Sequence, residues 1–413
     1  MIRGALLTGA LCLPPLVSAS PWTFGDPVTV AGDSERPHFH HLDGAGRTHV
    51  AASNVEVALV WEDDRSGAPQ VYVAVKPHSA ASFARTERLS DGAEAYEPAI
   101  TTIGEGRWLA AWEQDGAVVA RVVDAEGLGP VRMLGEKGSR QVALASDDSG
   151  RIAALWARQQ QGGQLVEAAE LGVEQGKVIL AAPALPVSPI TDHPHQGYPA
   201  AAWAADGRLL IAWEDRRAGH TRLFHSWRDR GQPFAPARQL NQHFAPSGNN
   251  GQPVGLGSGV MRVSLAVDDR GTARTLWLDK RDAKSGYAVW GAASDDGGRN
   301  FGPNQRVQDA LGDAVAQWHA SVAGGKPGFV ATWDDTREEW ANPNEPGDVL
   351  VSWNSGSGWS DDLLVPGASG EGYQGSPAVT IDPGGDLHLV WIERTDLSSP
   401  TRLRYLRGSI DGD

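Results

Sequence analysis

Apolar positions in this chain alternate with polar ones in short runs and do not recur at helical spacing. From Tyr198, YPAAAWAADGRLLIAWEDRRAG reads as a strand, a Gly-containing turn and a second strand ending in Trp. RVSLAVDDRGTARTLWLDKRD from Arg262 and SPAVTIDPGGDLHLVWIERTD from Ser376 repeat the pattern. The marker tryptophans are Trp61, Trp112, Trp156, Trp213, Trp277, Trp333 and Trp391, spaced 44 to 64 residues apart. Such a period matches a four-stranded propeller blade.

Each copy divides into strands A to D. Strand A runs into a turn such as Asp147 to Gly150, Asp268 to Gly271 or Asp382 to Gly385, and strand B ends at the Trp. A tight hairpin such as EDDRSG or EDRRAG leads into strand C. Strand D opens on an aromatic residue: Phe83, Phe234, Phe301 or Trp359. The seventh copy stops after strand C, in TRLRYLRG, while FGDPVTVA from Phe24 has the form of a D strand near the other end. The expected fold is therefore all-β, a seven-bladed β-propeller closed by an N-terminal strand that completes the last blade. Closure leaves no open edge for aggregation. Two separate β-sandwiches would explain neither the even repeat nor the displaced strand. The seven tryptophans read as wedges between blades, each burying roughly 150–250 Å².

Composition adds 50 Gly, 26 Pro and 16 Trp, which suits a repeat of short strands. Arg3, the apolar run Ala5 to Val17 and the small residues Val17-Ser18-Ala19 have the form of a cleaved signal peptide over 1–19. The mature domain would then be 20–413, a periplasmic or secreted monomer without membrane insertion. Cys12 is the only cysteine and falls in that leader, so thiol chemistry, disulfides and cysteine metal ligands are excluded from the mature domain. A formal charge of -15 argues against nucleic acid or an anionic membrane as partner.

Residues 294 to 301, Ser-Asp-Asp-Gly-Gly-Arg-Asn-Phe, carry a family resemblance. Ser294, Asp296, Gly298 and Phe301 occupy the Ser-x-Asp-x-Gly-x-x-aromatic positions of an Asp-box, and Ser226, Asp229, Gly231 and Phe234 form a looser copy. The chain thus resembles the sialidase-like propellers over nearly all of the mature domain. That resemblance implies a structural Asp-box in a C–D turn, on the face away from any active centre. It also implies three arginines on a substrate carboxylate, a Tyr–Glu nucleophile pair and an acid/base Asp. Here Arg36-Pro37 stands where the family carries Arg-Ile-Pro, and no motif places the nucleophile pair.

On the opposite face, four B–C hairpins carry Trp-x-Asp-x-Arg: Asp63 with Arg65, Asp215 with Arg217, Asp279 with Arg281, and Asp335 with Arg337. Asp and Arg, two apart on an extended strand, project to the same side and can form a salt-bridged turn. Alternatively Arg217, Arg281 and Arg337 converge on an acidic ligand, since guanidinium forks match carboxylate or sulfate. Entries to strand A add Arg36, His38, His40, Arg140, His195, Tyr198, Arg262, and His319 beside Trp318. His and Tyr near Arg are similar to the equipment of polysaccharide lyases, where a base removes the uronate C5 proton. His38, His40 and His41, and His193 with His195, form no standard metal signature, and no cofactor is expected. The longest insertions, 241–261, 280–286 and 338–347, place a site beside blades four to six. Two function classes follow. One is a non-catalytic propeller binding an acidic glycan or exported protein through its top face. The other is an acidic-sugar enzyme, either a sialidase-like hydrolase or a uronate lyase.

Overall fold

A computed structural model describes residues 20–32, 37–42, 47–84, 86–189, 195–217, 220–242, 259–281, 286–310, 312, 315–337, 347–396 and 398–410. Residues 1–19, where a leader is expected, and Arg36 and His193 lie outside the described residues. The described strands form seven antiparallel sheets, and their order is that of a seven-bladed β-propeller. Blades two to six start from strands Ala95–Thr102, Ser139–Ser146, Gln196–Trp203, Val260–Val267 and Trp318–Gly325. Each is followed in sheet order by its B, C and D strands. Blade one is built from His40–His41 and Val50–Ala52, then Glu56–Asp63, Gln70–Pro77 and Thr86–Arg88. The A strands of successive blades contact one another around the ring, which puts them innermost.

Blade seven takes Tyr373–Ile381, Leu387–Arg394 and Arg402–Ile410 from the end of the described chain. Its outer edge is covered from the other end. Trp22 pairs with Ile410 and Phe24 with Gly408, and Val28 pairs with Tyr405 after a break. Trp22 is buried there, its indole N–H donating to the carbonyl of Gly385 at 2.9 Å.

The core is a set of seams. All seven marker tryptophans are fully buried. Trp61 of blade one packs with Val390 and Tyr405 of blade seven, Trp213 with Leu155 and Val166 of blade three, and Trp333 with Leu276 and Val289 of blade five. Each ring thus fills the space against the preceding blade, where flat sheets fanning from an axis would leave a gap. Deleting such a side chain costs about 3–5 kcal/mol through lost burial and the cavity left behind.

Candidate functional site

The B–C hairpins place their polar groups by a lock internal to each motif. In blade one the Trp61 indole donates to Asp63 Oδ2 at 2.8 Å, and Arg65 returns Nη2 to the same oxygen at 2.6 Å. Trp213–Asp215–Arg217 repeats this, with the indole at 3.2 Å and the Arg217 amide at 2.8 Å from Asp215. Asp279 binds Trp277 and Arg281, and Asp335 binds Trp333 and Arg337, in the same way. The residue paired across from each Trp decides where the guanidinium rests. Arg65 lies 4.4 Å from the Tyr72 ring, Arg217 4.4 Å from Phe224 and Arg281 3.7 Å from Trp290. Blade six has Leu350 there, and Arg337 turns instead to Asp362 at 2.6 Å and Asp309 at 3.4 Å. Arg217, Arg281 and Arg337 are therefore held on their own blades. They do not line one pocket with His195 and Tyr198.

A second recurring feature borders the axis. Strand A carries a β-bulge at equivalent places in blades two to seven. Each bulge holds one non-glycine residue in the left-handed region: Glu97, Gln141, Tyr198, Arg262, His319 and Ser376, with φ from 48° to 60°. That conformation costs energy in L-residues and persists only where surroundings enforce it. Here the preceding blade does so for five of the six. Glu62 accepts the amide of Glu97, Glu113 that of Gln141, Gln141 that of Tyr198, Glu214 that of Arg262, and Asp334 that of Ser376, at 2.6–3.1 Å. Members also touch: Arg262 lies 4.1 Å from the Tyr198 ring, His319 Nδ1 2.6 Å from Asp334, and Arg47 contacts Glu97. Three expected ligand residues, Tyr198, Arg262 and His319, thus belong to one collar. A recurring X-Pro-Ala at Glu97, Tyr198 and Ser376 was its sequence signal.

Beside the collar, between blades three and four, a cavity of about 280 Å³ is lined by Arg140, Gln164, His195, Tyr198, Glu214 and Arg216 among others. Arg140 donates to the neutral Gln164 amide oxygen, and the Arg216 side chain donates to Thr221. Both guanidinium groups thus bond neutral acceptors, and the carboxylate of Glu214 also lines the cavity. Arg216 was not anticipated, although strand alternation puts it on the other side from the Asp215–Arg217 lock. Between blades one and two the corresponding cavity, about 540 Å³, has the opposite character, with Glu94, Glu113 and Asp115 around Tyr96. Burial, and after it the Glu97 carboxylate, pushes Glu113 up to about 7. Farther round, Trp318 is 40% exposed and its ring sits 5.3 Å from that of Tyr287.

The remaining expected residues are placed as follows. Asp296 accepts the amides of Arg299 at 3.0 Å and Asn300 at 2.9 Å, Ser294 accepts that of Gly298, and Phe301 meets His225 edge-on at 4.9 Å. In the looser copy Asp229 instead takes Arg208, at 2.8 Å. His38 and His40 are buried with rings 4.7 Å apart, and His40 Nε2 is 4.0 Å from Asp63. Burial pulls His40 down to about 3, so its ring is neutral at physiological pH. His41 is largely exposed, 3.8 Å from Glu62.

The fold and site define a propeller with a polar collar and a cationic pocket on the hairpin face. No protein-family model matches the sequence, and no curated protein does. Solved structures do match in fold. An ulvan lyase of a new polysaccharide lyase family, bound to -[GlcA(1-4)Rha3S]-, is 10% identical over 88% of this chain and 93% of its own, with a TM-score of 0.57. An α-L-arabinanase of Penicillium chrysogenum, with arabinobiose, is 12% identical over 75% and 92%, at 0.51. A protein of unknown function from Dyadobacter fermentans is 11% identical over 95% and 100%, at 0.52. At these identities the likeness is one of fold.

Proposed function

We propose that the protein binds an acidic glycan through its hairpin face, with the cavity of blades three and four as the anchoring subsite. The carrying observation is local charge. In a chain of net charge -15, Arg140, Arg216 and His195 line one pocket with Tyr198, two guanidinium groups against the carboxylate of Glu214. A uronate or sulfate there gains charge-assisted bonds from guanidinium forks that have only neutral acceptors to give up. At the seam of blades five and six, the exposed Trp318 beside the half-buried Tyr287 offers an aromatic surface on which a sugar ring stacks. The ulvan lyase of the same fold, solved with a glucuronate-containing saccharide, supports the ligand class. A leader at 1–19 fits a glycan met outside the cytoplasm, and N-terminal sequencing of the mature protein should begin at Ser20.

Calorimetric titration with oligouronates, sulfated oligosaccharides and neutral controls tests the reading. Arg140→Gln and Arg216→Gln should each weaken binding roughly tenfold without lowering the melting temperature. If no acidic oligosaccharide binds the parent protein, the glycan reading fails and a protein partner is the class left. A second reading, uronate β-elimination, is favoured by His195 and Tyr198 sharing the cavity wall. Prolonged incubation with oligouronate separates the two: binding alone leaves the chain length unchanged, whereas a lyase yields shorter fragments with unsaturated ends.

A further inference from the structure

At the seam joining the last blade to the first, on the face opposite the hairpins, three side chains converge that lie far apart in sequence. Asp382 closes the A–B turn of blade seven, His388 stands on its strand B, and His78 follows strand C of blade one. One ligand atom from each lies within 4.8 Å of the others. We infer that His78, Asp382 and His388 form a structural site for a divalent transition metal of the zinc class, stapling blade seven to blade one.

The two separations from the Asp382 carboxylate are close to those in a tetrahedral site. Bonds of about 2.0–2.1 Å put ligand atoms roughly 3.3 Å apart. His388 Nε2 is 3.2 Å and His78 Nε2 3.5 Å from Asp382 Oδ2; His78 Nε2 also donates a 2.9 Å hydrogen bond to the Ser53 carbonyl, whose proton a bound metal would displace. Two imidazole nitrogens and a carboxylate oxygen make a borderline donor set. Two of the three ligands, His388 and Asp382, are held from behind as such sites require. Tyr405 Oη meets His388 Nδ1 at 2.7 Å, which leaves Nε2 to face inward. The amides of Gly385 and Asp386 donate to Asp382 Oδ1 at 2.8 and 2.9 Å, which leaves Oδ2 to face the imidazoles. The two rings stack 5.0 Å apart at 22°, an arrangement unfavourable to two imidazolium cations but natural for neutral ligands of one ion. A hydrogen-bonded triad explains the site less well. At 3.5 Å His78 is beyond a good bond to Asp382, and its buried Nδ1 meets no hydrogen-bond partner among the described residues. Burial keeps solvent out: His388 is fully enclosed and the Asp382 side chain is only 4% exposed.

The test uses the full mature chain, dialysed against ZnCl2 and then passed over a chelating resin. Elemental analysis should find about one Zn2+ per chain, and stripping with chelator should lower Tm by roughly 3–5 °C, reversed by added Zn2+. His78→Gln and Asp382→Asn should hold less than about a tenth of an equivalent and lose the response of Tm to Zn2+. His40→Gln, at the separate His38–His40–Asp63 cluster, should keep the full equivalent. A parent protein without bound zinc and with Tm indifferent to chelator would overturn the assignment. So would retention of zinc by His78→Gln with its loss in His40→Gln.

Discussion

At the scale of single residues, the hairpin locks depend on their aspartates more than on their arginines. Asp215 is fully buried and accepts from the Trp213 indole, the Arg217 amide and the Arg217 guanidinium together. Asp215→Ala strands a buried indole N–H and an arginine, so we expect a loss of about 2–4 kcal/mol in urea unfolding. Arg217→Gln removes a partly exposed cation from the Phe224 ring and should cost only about 1 kcal/mol. Equal losses would show that the arginine, not the aspartate, organises the turn. Glu113 supplies a pH signature. Its folded pKa, about 7, lies above the ordinary carboxylate value, so the folded state holds the proton more tightly than the unfolded chain. Its contribution is fully present below about pH 4.5 and is lost as pH rises through 7. Glu113→Gln keeps an acceptor for the Gln141 amide, and should flatten the fall in stability between about pH 5 and 8. A slope unchanged by the substitution would assign it elsewhere.

At the scale of elements, turns and edges carry separate consequences. The turn from Ser294 to Phe301 is solvent-exposed at Asp296, so its amides can turn to water when the carboxylate is removed. Asp296→Ala should therefore cost about 0.5–1.5 kcal/mol and leave oligouronate binding untouched, because C–D turns lie on the face away from the hairpins. Loss of binding at unchanged stability would reverse the assignment of faces. The N-terminal strands are a different matter. Starting the chain after Ala31 removes Trp22 from its buried place and uncovers Arg402–Ile410. We expect aggregation or a marked fall in Tm, measured by light scattering during a melt, since a long unpaired edge templates further pairing. A truncated chain that melts like the parent would mean that the seam between blades seven and one holds without it.

Over the whole molecule, charge is distributed unevenly around one face. Carboxylates surround the cavity of blades one and two, while in that of blades three and four two guanidinium groups outnumber the Glu214 carboxylate. An acidic oligosaccharide would be repelled from the first and drawn to the second, which fixes its direction across the collar. Because the cavities are open to solvent, oligouronate affinity should fall several-fold between about 0.05 and 0.5 M salt. Affinity indifferent to salt would point to stacking on Trp318 as the main contribution.

Periodicity was enough to predict the blades. Alternation with a Trp every 44 to 64 residues defines strands A and B, because a strand half-buried between neighbours admits one pattern of apolar positions. The Asp–Arg pairs of the Trp-x-Asp-x-Arg hairpins were equally legible, since the two partners lie two residues apart, but the indole's bond to the same carboxylate was not. Contacts between blades were not. Arg140 with His195, Arg262 on Tyr198, and His78 with Asp382 and His388 join residues up to several hundred positions apart. Their meeting follows from closing the ring, which brings each strand A entry against the preceding blade and the last blade against the first. Local spacing carries no trace of that closure. The sequence by itself therefore determined the repeat, the buried tryptophans and the turns. Tertiary structure alone decided which charged side chains share a pocket, and which imidazoles face one carboxylate.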